Sequence, residues 1–175
     1  MAGYAFNENS GTTTADTSGN ANNGILNGAS WTAQGKFGNA LSSNCSSWVT
    51  VNDSNSLDLT TGMTLEAWIY PTATPTNWST ALLKEQTSDL VYGLYAGSPT
   101  NRPGVYIFTT GEQGVDGPLA LPLNTWSYLA TTYNGTTLRL YVNGTQVTSK
   151  NVSGSISISG EALRIGGNAT ILAER

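Results

Sequence analysis

The chain has 175 residues and a mass of 18.3 kDa, and only 10% of it is charged. That fits one all-β domain whose surface is wetted by Ser, Thr, Asn and Gly rather than by ions. The net charge is -4, and the seven basic residues Lys36, Lys84, Arg102, Arg139, Lys150, Arg164 and Arg175 form no positive stripe, which excludes nucleic acid as a partner.

Cys45 is the only cysteine and histidine is absent, so there is no internal disulfide, and the commonest general base and transition-metal ligand is missing. No apolar run approaches the ~20 residues of a membrane helix, and Met1 to Phe6 lacks the charged-then-apolar order of a signal peptide. Neither an anchor nor a membrane partner is expected.

Taken in chain order, the first strand is predicted at Tyr4–Phe6, then strands at Ala40–Ser42 and Trp48–Val51, with a single helical turn near Leu57-Asp58-Leu59. From Met63 to Tyr70, Met63, Leu65, Ala67 and Ile69 point one way while Thr64, Glu66, Trp68 and Tyr70 point the other, and Pro71 ends the run. With apolar bulk on both faces, this reads as a central strand, and Trp68 as a core residue.

Ala81–Lys84, Val91–Ala96 and Val105–Thr109 follow as further strands, whereas Gly111 to Gly117 reads as a polar loop. Between Trp126 and Ser149 the pairs Asn134-Gly135 and Asn143-Gly144 separate runs rich in β-branched and aromatic residues, predicting two successive hairpins. Trp126 is placed in the first of these strands, as core. A last strand falls at Leu163–Ile165. Many short strands with turn signals between them predict two stacked antiparallel sheets spanning residues 1–175 as one domain.

Several motifs, in order, carry a likeness: Ala5-Phe6-Asn7-Glu8, Asp16 to Gly24, Gly35-Lys36-Phe37-Gly38-Asn39-Ala40-Leu41, Met63 to Pro71, Trp126 with Leu129 to Tyr133, Leu140-Tyr141-Val142-Asn143-Gly144, and Leu163 to Asn168. The series resembles the laminin-G-like, concanavalin A-like lectin/glucanase family. That resemblance implies a jelly roll used as an accessory module of large secreted proteins, hence an extracellular setting, with a calcium ion in many members and a carbohydrate in some.

Two departures from the family pattern are visible. The usual last strand, reading roughly Gly-Leu-Ile-Asp-Glu-Val-Arg, has no counterpart in Ala169 to Arg175, which would expose the edge of the Tyr4–Phe6 strand and favour a homo-oligomer through that edge. Cys45 stands where relatives have a turn glycine.

Asp16, Ser18, Asn20 and Asn22 place an oxygen-bearing side chain at every second residue, with Asn23 adjacent, as a loop does when it wraps a hard cation such as Ca²⁺. The alternative is a solvated Asx-rich turn. Only Asp16 is charged, so a structural Ca²⁺ needs a remote acid; Glu66 and Asp53 are the substitutes available.

Related glucanases carry Glu-x-Asp-x-x-Glu on one strand, and no such run occurs here. No serine nor Cys45 has a recognisable base, so an enzyme is not expected. Sugar binding uses an aromatic platform with polar groups for hydroxyls, and the candidates on predicted loops are Trp31, Trp78, Tyr95, Asn101, Arg102, Glu112 and Asp116. The reading is a non-catalytic module recognising a glycan or a protein; assembly through a strand edge is the second, and a degenerate glycosidase the third.

Overall fold

The alternating stripes of the sequence become the inner faces of two packed sheets in the computed structural model, which describes residues 1–44, 46–75 and 78–167. In chain order the strands are β1 Thr13–Thr14, β2 Gly24–Asn27, β3 Ser30–Thr32, β4 Ala40–Ser42, β5 Trp48–Val51, β6 Met63–Ile69 and β7 Ser79–Gln86. They continue as β8 Asp89–Gly97, β9 Gly104–Phe108, β10 Glu112–Asp116, β11 Ser127–Tyr133, β12 Thr137–Val142, β13 Thr145–Asn151 and β14 Leu163–Ile165. A 3₁₀ turn covers Asn55–Leu57, two residues before the place expected.

An eight-stranded antiparallel sheet runs β1-β2-β5-β14-β7-β8-β9-β10 and a four-stranded one β13-β12-β11-β6, while β3 and β4 pair by themselves. The core between the sheets joins Val49, Val51, Tyr92, Leu94, Val105 and Ile107 of the first sheet to Leu65, Leu129, Leu138 and Leu140 of the second. Each of these residues alternates with a neighbour that faces outward, the geometry that period two demands. Among the described residues no helix is long and apolar enough to cross a membrane.

Both predicted hairpins form. Asn143 (φ 51) and Gly144 (φ 79) take the two left-handed positions of the tight β12–β13 turn, which is why Asn-Gly suits it. In the β11–β12 turn the Asn134 side-chain oxygen accepts the Thr137 N–H at 2.9 Å.

Four expectations are corrected. Tyr4–Phe6 is not a strand: Phe6 has φ 53, which breaks the extended chain, and Tyr4 stacks on Phe6 at 5.8 Å and packs against the core. No strand edge exists there to be exposed. Met63–Ile69 is an edge strand of its sheet, paired only with β11 among the described residues. The supposed polar loop contains β10, an edge strand whose five residues pair with β9. Strands β1, β2 and β3 had no expectation at all. Cys45 and the tail Ala169 to Arg175 lie outside the described residues.

Candidate functional site

The outer face of the eight-stranded sheet, turned away from the core, carries the best-built cluster of binding chemistry. Tyr106 projects there because its neighbours Val105 and Ile107 are committed to the core. Its direct cross-strand partners are Gly93 on β8 and Gly114 on β10. A β-carbon at Gly114 would stand 2.2 Å from the Tyr106 ring, so the ring lies down over the space that this glycine leaves. Tyr95 covers Gly93 in the same way, at 2.8 Å.

Trp78 closes the cluster, meeting Tyr95 and Tyr106 edge-on with ring centroids 5.0 Å from each. Edge-to-face contacts of this kind fix ring orientation beyond what burial alone does. Trp78 is 8% exposed and Tyr95 is fully buried, so both leave the set of ligand-contacting candidates: their surface is spent on seating Tyr106, which stays half-buried.

Asp116 completes the cluster. Its Oδ1 accepts the Tyr106 hydroxyl at 2.9 Å and its Oδ2 accepts the Thr100 hydroxyl at 3.2 Å. Burial first, then the hydrogen bond and charge of Asp116, push the Tyr106 phenol well above its ordinary value, so it remains a donor. The carboxylate has lone pairs left for a ligand hydroxyl.

Asn101 and Arg102 sit exposed on the β8–β9 hairpin that also carries Thr100, held there by Asn101 N–H to Ser98 O at 2.9 Å and Ser98 N–H to Arg102 O at 2.8 Å. Asn101 has φ 58, a conformation asparagine tolerates. The structure therefore bonds Asp116 to Tyr106 and places Asn101 and Arg102 on the hairpin whose Thr100 also bonds Asp116. Glu112 faces the same way but four residues back along β10, roughly 13 Å from Asp116 at strand rise. Trp31 is elsewhere, half-buried, with its indole N–H donated to Gly11 O at 2.9 Å.

Further across the same face, Arg164 of β14 pairs with Glu85 of β7 at 3.0 Å and donates to Thr50 of β5, whose hydroxyl reaches Asn27 of β2 at 2.6 Å. This polar row was invisible in the sequence because its members are up to 137 positions apart. Tyr106 and Thr100 were missed too; the available signal was a tyrosine between two core aliphatics, with glycines at 93 and 114.

The Asp16 loop lies apart from this face. Asp16 Oδ1 accepts N–H groups of Gly3 and Ser18, and Oδ2 accepts the Ser18 hydroxyl and the Asn22 N–H, all at 2.8–3.0 Å. Burial alone would raise its pKa, but these four donors outweigh it and hold the carboxyl at about 2. Ser18, Asn20 and Asn22 converge with the Met1 carbonyl, each within 3.1 Å of it. Asn23 turns away and accepts the Asp16 N–H.

Of the two acids considered as remote ligands, Asp53 pairs with the buried Lys84, and Glu66 accepts the Tyr128 hydroxyl on the outer face of the four-stranded sheet. Among the described residues no group of three or more acids, thiols or imidazoles gathers to hold a metal. Asp16 is the one charged side chain among the four candidate ligands, and the nearby Glu8 carboxylate is held by the Thr14 hydroxyl at 2.8 Å and the Ala15 N–H at 2.7 Å. A cation fits only if the Asn20 and Asn22 amides present their oxygens, which a half-turn of each side chain allows.

Comparison with known proteins adds three findings. A family model described as the concanavalin A-like lectin/glucanases superfamily matches residues 42–173. Among solved structures, domain 4 of AbnA, a GH43 extracellular arabinanase from Geobacillus stearothermophilus in complex with arabinotriose, is 18% identical with a TM-score of 0.77, over 95% of this chain and 82% of that one. The binding domain of Paraclostridial Mosquitocidal Protein 1 (14%, TM-score 0.67) and that of Botulinum Neurotoxin DC in complex with SialylT (16%, TM-score 0.65) align over 91% and 90% of this chain. The chain spans only 43% and 41% of those two proteins, and at these identities the likeness shows the fold alone. No curated relative matches.

Proposed function

Because the chain belongs to the concanavalin A-like lectin/glucanase superfamily, we propose that it is a non-catalytic recognition module that binds a glycan on the outer face of its eight-stranded sheet. The observation that carries this is the Tyr106 ring laid over Gly114 with its hydroxyl on Asp116. A half-buried ring offers a flat apolar surface to the C–H face of a sugar, while Asp116, Asn101 and Arg102 supply acceptors and donors for its hydroxyls. Trp78 and Tyr95 act one layer below, as positioning residues. Two structural neighbours are solved with saccharide-type partners named, which supports a glycan as ligand class.

A non-catalytic role is favoured because, among the described residues, Asp116 is the one acid bonded to Tyr106, and Glu112 stands four residues away on β10, roughly 13 Å at strand rise, beyond the ~5 Å of a retaining pair and the roughly 6.5–9.5 Å of an inverting one. The test is a glycan array read with wild type, Tyr106→Ala and Asp116→Ala. Wild type binds at least one glycan, and each variant loses at least about tenfold in affinity, or roughly 1.4 kcal/mol. Equal binding by all three proteins would refute the site.

Structural calcium at the Asp16 loop belongs to this reading. Asp16, Ser18, Asn20 and Asn22 with the Met1 carbonyl would hold it, and the ion would neutralise the carboxylate. The expected result is a melting temperature raised by several degrees in millimolar calcium, and no rise in Asp16→Asn. Identical melting in calcium and in chelator would leave the loop held by hydrogen bonds alone.

Assembly is the second reading, favoured by β6. Of the sheet edges, β1 has two residues, β10 carries Glu112 and Asp116, and β13 has a bulge and Lys150, each a recognised guard against pairing. Strand β6 has seven residues in unbroken register and neither lysine nor proline, and its one charged side chain, Glu66, is engaged by the Tyr128 hydroxyl. Light scattering at rising concentration tests it; a monomer throughout would count against self-association.

A further inference from the structure

A second aromatic surface lies on the opposite side of the sandwich, on the outer face of the four-stranded sheet. Trp68 of β6 and Tyr128 of β11 are direct cross-strand partners, with ring centroids 5.1 Å apart. One step along the same two chain segments, Tyr70 and Trp126 repeat the pairing at 5.4 Å. Two residues of strand advance about 7 Å, so the pairs form consecutive rungs.

Cross-strand aromatic pairs steady a sheet, which accounts for the rungs themselves. It does not account for Phe37. This ring belongs to no strand, is 70% exposed, and stands edge-on to Trp68 at 5.7 Å. Its loop is fastened: Gly35 N–H bonds Gly38 O at 2.9 Å, and Asn39 bonds Asn7 through both its backbone N–H and its side chain. A loop built to hold an apolar ring in water forgoes most of the burial that ring could contribute.

Polar groups rim the rings. Lys36 Nζ stands 4.7 Å from the Trp68 ring centre, and Tyr128 donates its hydroxyl to Glu66 at 2.5 Å. Lys36 and Glu66 bring opposite charges to the rings, whose paired planes are tilted by 42° and 51°. A phosphate-bearing partner would need clustered basic side chains, and among the described residues only Lys36 stands against these rings, Arg139 facing outward further along the same sheet. Exposed tilted ring pairs with hydroxyl, ammonium and carboxylate around them suit the alternating C–H faces and hydroxyl edges of a neutral sugar chain.

We propose that this surface is a second binding site, independent of Tyr106, for a neutral oligosaccharide whose successive rings rest on the Trp68–Tyr128 and Tyr70–Trp126 rungs beside Phe37. Placed on opposite outer faces, the two sites could engage two chains of one polysaccharide.

The test is affinity electrophoresis through gels containing arabinan, xylan or mixed-linkage β-glucan. Wild type, Trp68→Ala, Phe37→Ala and Tyr106→Ala are run side by side, with melting temperatures to show that all are folded. Phe37 is exposed, so its variant folds even if Trp68→Ala loosens β6. The expected result is retardation of wild type and Tyr106→Ala by at least one gel, weakened threefold or more in Phe37→Ala and Trp68→Ala. Wild-type retardation in both of those variants, its loss in Tyr106→Ala alone, or no retardation of wild type by any of the three gels would overturn the second site. Failure of the first site is read separately, on the glycan array, where Tyr106→Ala would then bind as wild type does.

Discussion

At the residue scale, two positions set firm expectations. Asp16 holds its carboxyl at about 2, below its ordinary 3.8, because four donors favour the charged form. A depressed folded-state pKa stabilises the fold fully above the unfolded value near 3.8, and that contribution is lost as pH falls towards 2. Carboxyl NMR should find Asp16 titrating near 2, and Asp16→Asn should melt lower than wild type at pH 7 with the gap closing below pH 3. A midpoint near 3.8 would show the clasp to be absent. Gly114 is the other case: an added methyl would stand 2.2 Å from the Tyr106 ring. Gly114→Ala should therefore shift the Tyr106 ring resonances and weaken glycan binding at least threefold, while stability changes by about 1–3 kcal/mol as expected of overpacking.

These residues also mark how far the sequence could be read. Asp116, Asn101 and Arg102 are legible by their chemistry, whereas the Thr100 bond that ties the β8–β9 hairpin to Asp116 on β10 is not. Trp78 and Tyr95 were chosen because aromatic residues bind sugars, yet composition cannot tell a platform from the layer beneath it. What decides is whether a neighbouring strand offers glycine or a side chain, and register across strands is a long-range property. Tyr106 looked like one more strand residue for that reason.

At the element scale, local signals performed best where a turn dictates pairing. Asn143-Gly144 fixes the β12–β13 hairpin because both residues adopt positive φ. Gly144→Val should cost about 1–2 kcal/mol in denaturant unfolding, since a β-branched residue there is strained; an unchanged midpoint would show that the turn does not set the register. The same local reading failed at Tyr4–Phe6, where alternation suggested a strand but Phe6 bends the chain. It failed again at β6, whose two-sided apolar pattern suggested a central strand. The outward apolar residues there serve an exposed aromatic face rather than a second core.

At the scale of the whole molecule, the two-sheet sandwich follows from aliphatic stripes that can be hidden only against one another. Leu129, Leu138 and Leu140 are fully buried where the four-stranded sheet meets the eight-stranded one. Leu140→Ala should destabilise the fold by about 2–5 kcal/mol, and a loss under 1 kcal/mol would mean the sheets are not packed there. The core fixes which faces turn outward, and so fixes where Tyr106 and Asp116 are presented.

The most direct measurement follows from that presentation. Titrating isotope-labelled chain with the glycan it binds best on an array, and mapping the NMR shifts, should move Tyr106, Thr100, Asn101 and Asp116 together and saturably, leaving the Asp16 loop still. Shifts confined to residues away from the outer face of the eight-stranded sheet, or none at saturating glycan, would contradict the account.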